Sequence, residues 1–279
     1  MNRTLLAARN NADWCRAMCR AHGLLSHDSD AVWSCAERTP PYYPDAVTLR
    51  PQVTADEVLA GIDAGPGCSV KDSFGTLDLS SAGFVPIIEA TWLYREVGAD
   101  ADGLDEPAQR PADEAMRRTV DEPARRRVDE PAQRPADEPR RRLGHGSGWR
   151  PTDEAGWRRI DDGGALTAWV AAWGGGAGIF RPELLTDPDV ALLARYDGDT
   201  VTGGAVANRS AGSIGISNLY ASTGDPASVW RGAVATAYEI FEPLPVVGYE
   251  HGDDLAAAVR AGCTPLTDLR IWLNPAPPR

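Results

Sequence analysis

Apolar and polar positions in residues 3–21 recur with the helical period. Leu5, Leu6, Trp14, Cys15, Met18 and Cys19 fall on one side and Arg9, Arg16 and Arg20 on the other, which predicts an amphipathic helix stopped by His22 and Gly23. The period is lost over 26–44, where Trp33 precedes a run of prolines and tyrosines at 39–44. Proline removes backbone donors, so this stretch predicts a stiff connector whose rings pack on a core, with a pocket-lining role left open. Residues 46–49 read as a short strand. Thr54 and Glu57 have the spacing of a capping box for a helix over 55–64, which Gly65, Pro66 and Gly67 end. Residues 69–74 and 84–94 read as two further strands. Lys71 and Asp72 stand together between apolar neighbours and read as a pair of surface charges rather than a site.

Residues 99–148 carry no burial pattern. An Asp-Glu pair begins at 105, 113, 121, 129 and 137, and the ten residues 105–114 recur unchanged at 129–138. An eight-residue period matches no helical seam, prolines interrupt it, and large apolar side chains are nearly absent. Ordering entropy then goes unopposed by burial, which predicts a disordered insertion between two β-bearing regions.

Patterned sequence resumes at 157–160 with a strand. A helix over 164–173 follows, with Leu166, Trp169, Val170 and Trp173 on one face. Trp169, Trp173 and Trp272 are expected in the core. A second helix is predicted over 182–189 and a strand over 190–196, with a hairpin signal at Asp197 and Gly198. Strands over 201–208 and 213–220, a helix over 226–241, a strand over 245–250, a helix over 253–261 and a strand over 269–273 complete the order. The glycines of 174–178 follow a helix and lack the Gly-Lys-[Ser/Thr] ending, which excludes a P-loop, and no GxGxxG fingerprint is present.

Composition narrows the function classes. The chain has 279 residues, 43% of them hydrophobic, enough for one large or two modest domains. No run approaches the roughly 20 apolar residues of a membrane span, and the first residues lack a secretory apolar core, so a cytoplasmic protein with no membrane partner is expected. A net charge of -12 argues against nucleic acid and suits an amine substrate. The cysteines, Cys15, Cys19, Cys35, Cys68 and Cys263, are odd in number and widely spread. They are expected as buried thiols. A zinc site from Cys15, Cys19, His22 and Cys35 lacks a paired knuckle, so no metal is expected.

The β-β-α-β-α-β order over 200–273, with Gly262 between the last helix and the last strand, resembles the C-terminal three-quarters of a GCN5-related N-acetyltransferase (GNAT). With the elements before it, 157–273 is similar to a nearly complete GNAT domain, and the β-α-β-β order of 46–94 resembles the opening of the same fold. The resemblance implies an α+β, GNAT-like mixed sheet flanked by helices. It divides the chain into an N-terminal GNAT-like half-domain at 1–98, the disordered insertion at 99–148 and a C-terminal GNAT-like domain at 149–279.

It further implies an acyltransferase that uses acetyl-CoA to acetylate a small-molecule amine. In the family the thioester carbonyl accepts a backbone N–H from the fourth strand, which places those amides near Leu219, Tyr220 and Ala221. The pyrophosphate rests at the start of the next helix, where the family carries [Arg/Gln]-x-x-Gly-x-[Gly/Ala]. Two placements compete. One is Ser222, Thr223 and Gly224, leading into an Asp225 cap and Pro226. The other is Arg231 and Gly232, with Val234 where Gly or Ala is wanted. Asp225 would set a carboxylate beside the phosphates. The family's acid tyrosine corresponds to Ala258, and Gly262-Cys263 replaces a Gly-Phe pair. Glu250 is the preferred base, with His251 second. Asn208 and Asn218 either bind a substrate amide or satisfy local backbone groups. A reading from another class stays open: a GNAT-like protein without catalysis, binding a ligand or regulating a partner. Asp225 and the missing tyrosine favour it, while the strand–helix order and Glu250 favour an enzyme.

Overall fold

The computed structural model describes residues 2–99 and 156–276. The octad repeats, and with them the disorder expected of 99–148, lie outside the described residues apart from Ala99. Helix α1 (Arg3–Ala21) has the predicted bounds. The Asn2 side chain accepts the Thr4 amide at 2.9 Å, and Gly23, at φ +75°, turns the chain away. The connector predicted over 26–44 is partly regular: β1 (Ser26–Asp28) and β2 (Val32–Cys35) form a hairpin. The Ser29 hydroxyl accepts the Val32 amide at 2.9 Å and closes the turn locally. The prolines begin only at Pro40, after the hairpin is complete.

Strand β3 (Ala46–Thr48) leads to α2 (Ala55–Leu59), where the capping box forms as the spacing predicts. The Thr54 amide donates to Glu57 Oε2 at 2.9 Å and the Glu57 amide to Thr54 Oγ1 at 3.3 Å. The helix is shorter than expected, ending before Gly61. Strands β4 (Ser69–Asp72) and β5 (Val85–Arg95) follow. After the undescribed segment come β6 (Trp157–Arg159) and α3 (Gly163–Trp173), capped by Asp162 and ended by Gly174 at φ +81°. The helix predicted over 182–189 is a single 3₁₀ turn, Pro182–Thr186. Then follow β7 (Val190–Asp197), β8 (Thr200–Ser210), β9 (Ser213–Ala221), α4 (Pro226–Ile240), β10 (Val246–Glu250), α5 (Gly252–Arg260) and β11 (Thr264–Leu273).

All these strands share one mixed sheet, ordered β1-β2-β3-β4-β11-β5-β10-β9-β8-β7-β6. Residues 157–273 therefore do not close a sheet on their own. β5, from the N-terminal stretch, lies between β10 and β11 and pairs antiparallel with both. Two apolar layers cover the sheet. One joins α1 and α3 through Trp14, Met18, Trp92, Trp169, Leu192, Val206 and Val247; the other joins α4 and α5 through Leu193, Ile214, Ile216, Trp230 and Ala258. A third cluster, including Val58, Val70, Phe84 and Trp272, sits under α2. Trp169 and Trp272 are buried as expected. Trp173 is only partly so, stacked on Trp169 with centroids 6.2 Å apart.

β5 and β6 are five strand positions apart in the sheet. Deleting 99–148 leaves eleven residues between Arg95 and Trp157. At about 3.3 Å each they reach roughly 36 Å, which exceeds the roughly 31 Å set by five sheet steps of about 4.8 Å and an offset of about six residues along the strands. A chain joined from Gly98 to Trp149 is expected to unfold cooperatively within a few degrees of the parent in a calorimetric melt. Loss of the cooperative transition would show that the deleted segment holds the sheet.

Candidate active site

β9 and β10 run parallel but pair only at Ile214–Val246 and Gly215–Val247. Gly248 keeps the strands close for one more residue, since a Cβ there would lie 2.9 Å from the Ile216 carbonyl oxygen. Beyond it the two strands share no ladder. On β9 the register slips between the pairs Gly204–Tyr220 and Val206–Ser217, so that Asn218 and Leu219 oppose one residue of β8. Asn218 takes φ +51°, which asparagine tolerates better than most side chains. This bulge turns the end of β9 away from β10.

A cavity of about 180 Å³ opens where the strands part. Its β9 wall is residues 216–219 and its β10 wall Tyr249 and Glu250. The N-terminal stretch supplies the rest: Asn11, Trp14 and Cys15 from α1, the loop 42–44, and Lys71 from β4. The proline-rich loop thus does both things the sequence allowed. Tyr43 packs edge-on against Trp14 at 5.8 Å and borders the cavity, its hydroxyl donating to Asn218 Oδ1 at 3.4 Å.

Lys71 and Asp72 are not the surface pair that the sequence suggested. Both are buried, at 2% and 1% exposure. Asp72 accepts the backbone amides of Phe74 and Leu77 at 3.2 and 2.9 Å, organising the turn after β4. Lys71 Nζ donates to Asn11 Oδ1 at 2.7 Å and stands 4.1 Å from the centroid of the Tyr249 ring. Alternation along a strand identifies a wet face only when one face is open, and here both are covered. The two asparagines also separate. Asn208 exchanges bonds with Asn10, donating to its Oδ1 at 3.1 Å, and so ties α1 to β8. Asn218 faces the cavity.

Glu250 ends β10. Burial is the main cause that lifts its carboxyl to about 8, and the neighbouring Asp254 carboxylate adds to it. Donor atoms of Glu250, His251 and Asp254 lie within 4.8 Å of one another. His251 is exposed at the start of α5 and makes no capping bond. It borders a separate, wider cleft of about 610 Å³ with Glu89, Asp268 and Arg270. Of the two candidate bases, only Glu250 borders the cavity between the parted strands. Cys15, although it borders the same cavity, is held as a thiol by burial, which lifts it to about 11.

On the other side of the bulge, Leu219 packs against the α4 layer. The Tyr220 hydroxyl donates to the Trp169 carbonyl at 3.2 Å, and Ala221 ends the strand. Ser222 is pinned to Thr202 O by its amide at 2.9 Å, Thr223 O accepts Arg195 Nη1 at 2.8 Å, and Gly224 takes φ +94°. Asp225 caps α4, accepting the Ser228 amide at 3.2 Å. Arg260 and Arg231 lie 3.4 and 3.8 Å from its carboxylate. Burial works against its ionisation, but the Ala227 and Ser228 amides and Arg260 outweigh it, and the net pKa is lowered. The charge of Asp225 therefore does not stand alone before the helix. Gly232 is inside α4, where a Cβ would run into the Trp157 indole. It is a packing glycine, so of the two proposed phosphate placements only 222–225 is a loop before a helix.

No family model matches the chain, and no curated protein matches it in sequence. Among solved structures, it resembles a GCN5-related N-acetyltransferase from Kribbella flavida, with TM-score 0.57, 13% identity, and 97% and 96% of the two chains covered. A structure assigned to the GNAT family, from Novosphingobium aromaticivorans, aligns over 95% and 97% at 10% identity and TM-score 0.49. At such identities the likeness concerns the fold. The chain has a GNAT-like fold: a mixed sheet flanked by helices. Among the described residues no helix is long and apolar enough to cross a membrane.

Proposed function

We propose that the chain transfers an acetyl group from acetyl-CoA to a small amine. The observation that carries this reading is the parting of β9 and β10 at the Asn218 bulge, with Glu250 bordering the cavity it opens. Acetyl-CoA would supply an activated acyl carbonyl. Backbone amides in 219–221 would polarise that carbonyl. Ser222, Thr223 and Gly224, the start of α4, and Arg231 would receive its phosphates. Glu250 would accept the proton lost by the attacking amine. A carboxyl near 8 is a stronger base than an ordinary glutamate and still partly ionised at neutral pH. With alanine at 258, the proton that completes the departing thiol comes from solvent. Five free, buried thiols accord with a cytoplasmic setting.

The test begins with binding. Calorimetry of the full chain with CoA at low salt is expected to show binding strengthened about tenfold by Asp225→Ser. The serine keeps a capping oxygen while releasing Arg231 and Arg260 to the phosphates. Acetyl transfer is then followed by release of free CoA thiol over a panel of small amines. Binding of CoA by neither protein would favour the non-catalytic reading instead. An unchanged affinity in the variant would place the phosphates away from 222–225.

A further inference from the structure

We propose that Lys71 is an anion anchor, and that the amine this cavity accepts carries a carboxylate, as an α-amino acid or a close analogue does. The inference rests on the function proposed above and names the substrate class of that same site.

Lys71 is the chain's only lysine. Its side chain is buried, yet it borders the cavity. Lysine is rarely buried without a partner of opposite charge, because removing an ammonium from water is costly. Among the described residues no carboxylate lies within 4 Å of it. Its contacts are one amide oxygen, on Asn11, and the faces of two rings, Tyr249 at 4.1 Å and Trp92 at 6.0 Å. These orient an ammonium and soften its burial, but they leave its charge unbalanced. Asp72, next in sequence, spends both carboxylate oxygens on the turn 74–77.

The missing counter-charge is one unit, and a ligand that fills the cavity can supply it. Three features select a carboxylate. The space, about 180 Å³, holds the equivalent of roughly six waters at ~30 Å³ each, so the ligand is small. The cation is single, and a phosphate monoester would bring a charge of about -1.5 to -2. Glu250 borders the same cavity and, once ionised beside a bound ammonium, favours a cationic amine and opposes excess negative charge. Lys71 at one wall and Glu250 at another thus match a ligand with an acid at one end and an amine at the other. Asn218 and Tyr43, bonded to each other at 3.4 Å, line the same cavity as neutral polar contacts.

The experiment measures binding by calorimetry to the full chain without acetyl-CoA, so transfer activity is not needed. The probes are the common α-amino acids and, for several small ones, the matching amine that lacks the carboxylate, such as alanine against ethylamine and leucine against isopentylamine. Phosphoethanolamine is added as the dianionic competitor. At least one amino acid is expected to bind tenfold or more tightly than its amine, and Lys71→Met, which keeps length without charge, is expected to abolish that preference. Lys71→Arg keeps the charge and should retain part of it. Equal binding of both members of each pair would overturn the proposal. So would a preference that survives in Lys71→Met, tighter binding of phosphoethanolamine, or no binding by any amino acid. Should Lys71→Met fail to fold, the paired probes on the parent chain still decide. If acetyl transfer is found only with amines that lack a carboxylate, this proposal falls and the transferase reading stands. If amino acids bind through Lys71 but are never acetylated, the reverse holds.

Discussion

Glu250→Gln is expected to lower kcat/KM by about 10²–10⁴-fold near neutral pH, the usual range for loss of a positioned general base. The parent's rate should rise with pH up to about 8, where the carboxyl ionises, and the variant should lack that limb. Stability supplies a second, independent signature. The carboxyl's folded-state pKa is raised from 4.5 to about 8, so folding favours the protonated form. That contribution is complete below about pH 4.5 and lost as pH rises through 8. Glutamine mimics the neutral acid, so the variant should melt with the parent at pH 5 and above it at pH 9. A difference in melting temperature that stays constant from pH 5 to 9 would show that Glu250 titrates as an ordinary surface carboxyl.

Trp169→Ala is expected to cost about 3–5 kcal/mol, as large-to-small changes of buried aromatics do. Trp169 is 0% exposed. Its ring meets Phe180 and Tyr220 edge-on at 4.8 and 5.5 Å, and its Nε1 donates to the Leu193 carbonyl at 2.8 Å. Gly204 lacks a Cβ where the indole lies, so the sheet has no side chain with which to fill the gap. Trp173, two-sided and partly exposed, should cost well under half as much. Urea unfolding of the two variants measures the contrast. Equal losses would mean that the pair acts as one exposed stack rather than as core and cover.

Much of the local structure is readable from side-chain chemistry alone. The amphipathic stripe of α1, the Thr54 capping box, the Asp225 cap and the glycine stops at Gly23 and Gly174 all depend on neighbours within a turn. The parting of β9 and β10 follows from a bulge that needs only one asparagine at positive φ, but nothing local marks Asn218 rather than Asn208 as that residue. The β1–β2 hairpin rests on one serine hydroxyl and on strands of three and four residues, too short to show a period. Lys71 was misread for a different reason. Lys71 and Asp72 are adjacent on a strand and so point to opposite faces, both of which long-range packing covers, and no local pattern reports that. The same holds for Asn11, Trp14 and Tyr43, which reach the cavity only because α1 and the 42–44 loop lie over strands some two hundred residues away.

The place of β5 also bears on how the chain folds as it is made. Glu89 on β5 bonds Arg270 on β11, 181 positions later, and the strand's other edge waits for β10. Until β10 and β11 have emerged, an eleven-residue strand carrying Val85, Ile87 and Ile88 has both backbone edges open. Contacts of such separation are slow to close, and unpaired strand edges are where chains stick to one another. Translation order and sheet order are thus at odds: β5 is synthesised before both of its neighbours and can be paired only after them.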